Sequence, residues 1–187
     1  MLNRRDTIRG LVLTIGASSS LFAGRAFAAA ALSWTPKALT TDQAGVLDIA
    51  AELIIPRTDT PGARDAGVPQ FVDRAVADYC DKAQAARLRG GLDRMNADAR
   101  AAHGRDFTTL SAEQQIGLLT VYDQEAAAAK GQGAAEPHFF TDLEDLVTVG
   151  YFTSEPGATV ALRYEPVPGA YHGTVPLAEI GRAWATR

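Results

Sequence analysis

The chain has 187 residues, 47% of them hydrophobic and 21% charged, with one cysteine and a net charge of −4. That supplies one domain with a real core. It excludes a multi-cysteine metal site, an intrachain disulfide framework, a basic nucleic-acid footprint and an acidic disordered composition. Cys80 is left as a buried thiol or a bridge to another chain.

The amino terminus reads as a targeting segment. "MLNRRDTIRG" carries Arg4, Arg5 and Arg9, a mild apolar run "LVLTIGASSSLFAG" follows, and Ala26-Phe27-Ala28 has the small-residue form of a cleavage site. The run is too short and too rich in Gly and Ser for a membrane span. The Arg4-Arg5 pair and low hydrophobicity predict a twin-arginine signal over residues 1–28, and with it a periplasmic destination. The alternative is an amphipathic terminal helix. The first 28 residues hold four arginines and one aspartate, so the remainder has 14 basic and 21 acidic residues, net −7. So acidic a protein is not built to seek nucleic acid or anionic lipid, and any membrane association would run through partners.

Residues 29–39 read as a linker, and 40–187 as a single helical domain. "TTDQ" has capping-box spacing from Thr40 to Gln43, followed by Ala44, Leu47, Ala51, Ile54 and Ile55 at helical spacing. Pro56 ends this helix. A turn-rich connection leads to Pro69, suited to the first turn of the next helix. Residues 69–102 predict two helices broken near Cys80 or Asp81. Phe71, Ala75, Val76 and Tyr79 make one stripe, and Ala85, Leu88, Leu92, Met95 and Ala99 another. Gly90-Gly91 marks a close helix contact, and Gly104 a C-cap. A second capping box, Ser111 to Gln114, opens a helix with Ile116, Leu119, Val121 and Tyr122 inward. "EAAAAKGQGAAEP" then reads as a mobile connection. After Pro137 a last helix places Phe139, Phe140, Leu143, Leu146, Val147 and Gly150 on one side.

No catalytic constellation is legible. There is no G-x-S-x-G, no G-x-G-x-x-G and no Walker sequence. His103, His138 and His172 have no i, i+4 partner for a metal. Asp142, Glu144 and Asp145 share a helical turn, where acids at a helix start suit the dipole, and Asp59 and Asp65 share a loop. Acid–base work by either group would require a pocket that shifts their pKa values.

From about residue 151 the character changes. Four of nine prolines lie beyond residue 150, and seven of the twelve aromatics that follow residue 28 lie in the last 51 residues. Disordered tails are poor in aromatics. Prolines fix the backbone in advance, and Tyr and Trp give large contacts at low entropic cost. The expected partner interface is Tyr151, Phe152, Tyr164, Pro166, Pro168, Tyr171 and Trp184, with the prolines as stiffeners. The alternative is that this irregular segment folds back over its own helices. The fold expected is therefore mostly α, finished by a Pro/Gly/aromatic-rich wrap.

"AELIIPRTDTPGARDAGVPQFVD", with "DLVTVGYFTSEPGATVALRYEPVPGAYHGTVPL" and "GRAW" after it, resembles the gluconate 2-dehydrogenase subunit 3 family over about residues 40–187. The resemblance implies a non-catalytic small subunit of an exported dehydrogenase that oxidises a sugar, glycoside or sugar acid. It implies FAD and catalysis in a large partner similar to the glucose–methanol–choline oxidoreductases, and haem in a cytochrome c partner. It also implies that no cofactor or metal is held by this chain, whose signal escorts the folded pair. Two other readings stand beside it. One is a stand-alone periplasmic enzyme using His172 with an acidic partner; the other is a carbohydrate-binding module with the aromatics as stacking platforms.

Overall fold

The computed structural model describes residues 32, 34–167, 169–170 and 174–185. The segment read as a signal, with Arg4, Arg5, Ala26 and Ala28, lies outside the described residues, as do Pro168, Tyr171 and His172. Six α-helices are described, with no named strand among the described residues.

Helix α1 (Thr41–Ile54) starts at the expected capping box. Thr40 Oγ1 accepts the Gln43 N–H at 3.2 Å, and Gln43 Oε1 accepts the Thr40 N–H at 3.1 Å. Its inward face of Ala44, Val46, Leu47, Ile49, Ala50 and Ala51 is buried. Helix α2 (Val68–Asp78) begins with Pro69 in its first turn, after Gly67 turns the chain at φ +69°. Asp81 caps helix α3 (Lys82–His103), accepting the Gln84 N–H at 2.7 Å, and Gly104 closes it in the left-handed region. A 3₁₀ turn, Phe107–Thr109, leads to α4 (Ala112–Gly131), which opens on the Ser111–Gln114 box. Helix α5 (Phe139–Phe152) follows, then a π-helical turn Gly157–Ala161 and the one-turn α6 (Leu177–Ile180).

Helix α5 is the hub and packs against α1, α2, α3 and α4. Glycines set two of these contacts. A β-carbon on Gly91 of α3 would lie 2.1 Å from Phe139 Cδ2, and one on Gly150 would lie 2.6 Å from Phe71 Cδ1 of α2. The close contact read from the glycine pair belongs to Gly91 alone, because Gly90 faces open space. Buried polar groups are paired across helices. Asp142, 6% exposed, accepts from Arg87 Nε at 3.0 Å and Gln84 Nε2 at 3.1 Å, so it is an interhelical tie as well as a first-turn acid. No helix among the described residues is long and apolar enough to cross a membrane.

Three sequence expectations are corrected. The alanine-rich stretch is not a connection up to residue 131: α4 runs through it with Ala126 buried, because alanine is the best helix former. Ile116 and Val121 are 37% and 47% exposed, since the phase of α4 is set by Gln115, Leu119, Tyr122 and Ala126. Tyr79 is 82% exposed, because α2 stops at Asp78 and releases it from the stripe.

The segment read as a linker is tied to the domain where it is described. Leu32 and Trp34 pack against the core. Asp73 of α2, itself buried, accepts the backbone N–H groups of Lys37, Ala38 and Leu39 at 2.7, 3.0 and 2.9 Å. Three charge-assisted bonds to one carboxylate fix the chain's entry into the fold.

Candidate functional site

Residues 56–67 make a long loop with no secondary structure of its own, and such loops in a compact domain are functional or disordered. This one is pinned from below. Glu52, buried at the end of α1, accepts the N–H of Arg57 at 3.1 Å and of Arg64 at 3.0 Å. Gly62 lies so close over that carboxylate that a β-carbon would sit 2.5 Å from Glu52 Oε1. Asp65 accepts the Gly62 N–H at 3.0 Å and pairs with the Arg57 guanidinium, whose bond holds its carboxyl below the usual range. Arg64 pairs with Asp48 at 2.7 Å. Asp65 is therefore a structural tie of this loop, whereas Thr58 and Asp59 stand exposed at its tip.

The far stretch of the chain meets this loop at the end of α5. Tyr151, 2% exposed, donates its hydroxyl to the Pro61 carbonyl at 2.6 Å across 90 residues of sequence. Ser154 Oγ then donates to the Tyr151 carbonyl at 2.6 Å and accepts the Gly157 N–H at 3.1 Å. A β-carbon at Gly157 would strike the Tyr151 carbonyl oxygen, so only glycine permits this exit from α5.

Beyond the π turn the chain is clipped back on itself. Arg163 N–H donates to the Ala183 carbonyl at 2.8 Å, and the Ala185 N–H donates to the Arg163 carbonyl at 2.9 Å. The Arg163 guanidinium lies 4.4 Å over the Trp184 ring, and Arg182 donates to the Val160 carbonyl. The arm between these clips presents Tyr164 at 48% exposure and Val167 at 80%. Thr159, Leu162, Arg163, Tyr164 and Arg182 line a cleft at its base.

The expected interface residues thus separate. Tyr151 is a correction: it is enclosed by the chain and serves as the bolt between loop and helix. Trp184, 41% exposed, has one face covered by Arg163. Tyr164 and Pro166 are exposed on the arm, and Phe152 is exposed on the outer face of α5. Glu52 and Val167 were missed. An acid inside the apolar run "AAELII" was the available signal for Glu52.

His138 caps α5 by accepting the Phe140 N–H on Nδ1 at 3.3 Å, and its Nε2 lies 3.3 Å from Glu125. His103 meets Gln114 at 3.3 Å. Among the described residues no three His, Cys, Asp or Glu side chains are grouped to hold a metal. Glu144 is the carboxyl with the largest upward displacement: burial, with Asp123 and Asp145 nearby, pushes it up to about 7. The Cys80 thiol, part-buried, is pushed up by burial and by Asp142, which makes it a poor nucleophile.

The two longest motif stretches of this helical domain thus meet where Tyr151 joins the pinned loop to the end of α5. The chain matches the family model of gluconate 2-dehydrogenase subunit 3 over residues 41–169, and it belongs to that family. By its name, the family is a subunit of a dehydrogenase. No curated protein and no solved structure matches the chain.

Proposed function

We propose that the chain is the accessory, non-catalytic small subunit of a periplasmic dehydrogenase that oxidises a sugar, glycoside or sugar acid. FAD and the reacting residues belong to a large partner of the glucose–methanol–choline type, and a cytochrome c haem receives the electrons. Residues 1–28 act as a twin-arginine signal that carries the folded pair, and the membrane is met only through partners.

The observation that carries this reading is the Tyr151–Pro61 bond, which joins the two family-like stretches into one surface. The pinning of loop 56–67 is spent on holding an exposed edge in place, which suits recognition. The arm adds exposed anchors in Tyr164, Pro166 and Val167, and Pro168 and Tyr171 belong to the same sequence stretch. Preorganised anchors lower the ordering cost of binding. Escorting a partner without its own signal requires an obligate interface of roughly 2,000 Å² or more.

Affinity purification of the tagged full chain from the periplasm tests the reading. A co-eluting flavoprotein with sugar or sugar-acid dehydrogenase activity is expected, and its yield should fall in a Tyr164→Asp/Val167→Asp variant. A chain that elutes alone, or turns over a sugar by itself, contradicts it.

A further inference from the structure

Helices α1, α3 and α4 are capped by side-chain oxygens of Thr40, Asp81 and Ser111, which accept hydrogen bonds in every protonation state. The hub helix α5 is capped differently. His138 Nδ1 accepts the Phe140 N–H at 3.3 Å, and an imidazole accepts only on its unprotonated nitrogen. On the other side of the ring, Nε2 lies 3.3 Å from Glu125 Oε2 and 3.4 Å from Arg94 Nη1. These contacts choose between the two neutral forms. With its proton on Nε2, the ring accepts from Phe140 and donates to Glu125. With its proton on Nδ1, it would accept from Arg94 alone and set one N–H against another at Phe140. The first form makes two bonds and the second leaves a clash, so the neutral ring carries its proton on Nε2.

The charged groups around the ring are held by partners of their own. From α3, Arg94 pairs with Asp98 at 3.2 Å and with Glu125 of α4 at 2.9 Å, and its guanidinium lies 5.2 Å over the Tyr122 ring. Tyr122 donates to Asp98 at 2.9 Å, and burial followed by that bond pushes its hydroxyl upward, so it stays a donor. Arg87 of α3 pairs with Asp142 of α5 at 3.0 Å and with Glu136 of the connection at 3.9 Å. Glu125 is thus shared between Arg94 and His138. A charged ring would be attracted by Glu125, yet it would set a second cation beside Arg94 and turn an N–H toward Phe140 and the positive end of α5. No rotation of the ring restores the cap, because turning an imidazolium over exchanges one N–H for another.

We propose that His138 is a proton-released latch on α5: neutral, it closes the first turn of the hub helix, and protonated, it lets that turn open. Its position ties it to the packing. Phe139, the next residue, lies against the His138 ring at 4.6 Å between centroids and fills the space over Gly91 of α3, so the latch sits at the α3–α5 contact. The capping form is the one without the second proton. The first turn is therefore closed at the alkaline end and opens as pH falls. The latch does not rest on the proposed function.

Nuclear magnetic resonance of the isotope-labelled full chain tests this, from pH about 8 down to about 5, the interval in which imidazoles change charge. At the alkaline end the His138 ring should show a proton on Nε2 and none on Nδ1. Protection of the Phe140 amide, corrected for the intrinsic pH dependence of exchange, should fall about fivefold as the ring takes its second proton, the worth of one hydrogen bond. His138→Asn supplies an oxygen acceptor and should keep Phe140 protected across the range. His138→Ala should leave it unprotected throughout, with helix content checked by circular dichroism in both variants. A neutral ring with its proton on Nδ1, Phe140 protection that does not follow the ring's protonation, or the same fall in His138→Asn overturns the proposal. The titration of the unaltered chain decides the matter even where a variant folds poorly.

Discussion

Glu144 sits part-buried on α5 with Asp145 beside it and Asp123 of α4 facing it, and its carboxyl titrates at about 7 against an ordinary 4.5. The folded chain holds this proton more tightly than the unfolded chain does. Its contribution to stability is full below about 4.5 and is lost as pH rises through about 7. Discounted for a group still partly in water, the effect is about 1 kcal/mol. Glu144→Gln should therefore raise the melting temperature at pH 8 by about 2–4 °C and leave it nearly unchanged at pH 4. Equal shifts at both pH values would refute this assignment. At Tyr151 the test is mechanical. Tyr151→Phe removes the bond to the Pro61 carbonyl, at about 1 kcal/mol, and releases loop 56–67. Trypsin should cut at Arg57 or Arg64 faster while helical circular dichroism is unchanged; unaltered cleavage would mean the loop is held without this bolt.

Neighbouring glycines on α3 separate packing from propensity. Gly91→Ala drives a methyl into the Phe139 ring and should cost about 1–3 kcal/mol. Gly90→Ala meets open space in a helix interior and should gain up to about 1 kcal/mol. Urea midpoints moving in opposite directions would support the α3–α5 contact, and like shifts would count against it. The elements themselves were largely legible in sequence, for a physical reason. Capping boxes at Thr40 and Ser111, Pro69 in a first turn and Gly104 at a C-cap act over three or four residues. The phase of α4 was not legible, because Ile116 and Val121 mimic a core face and only the neighbouring helices decide which stripe is buried. Tyr151 was counted with the surface aromatics because its partner carbonyl lies 90 residues away. Glu52 was missed because a buried acid declares itself only through the backbone N–H groups it receives.

At the scale of the molecule, the fold gathers its special features at the α1–α2 loop and the end of α5. Loop 56–67, the Tyr151 bolt, the Gly157 exit and the clipped arm are joined by covalent or hydrogen-bonded steps. The chain belongs to a dehydrogenase subunit family, and under the proposed function that surface is where it holds another chain. The most direct measurement is the location of the large flavoprotein when the two chains are expressed together or apart. With the full chain present, flavin-bound large subunit and its dehydrogenase activity should appear in the periplasm. With Arg4→Lys/Arg5→Lys, or without the chain, both should stay in the cytoplasm. A large subunit that reaches the periplasm fully active on its own would contradict the account.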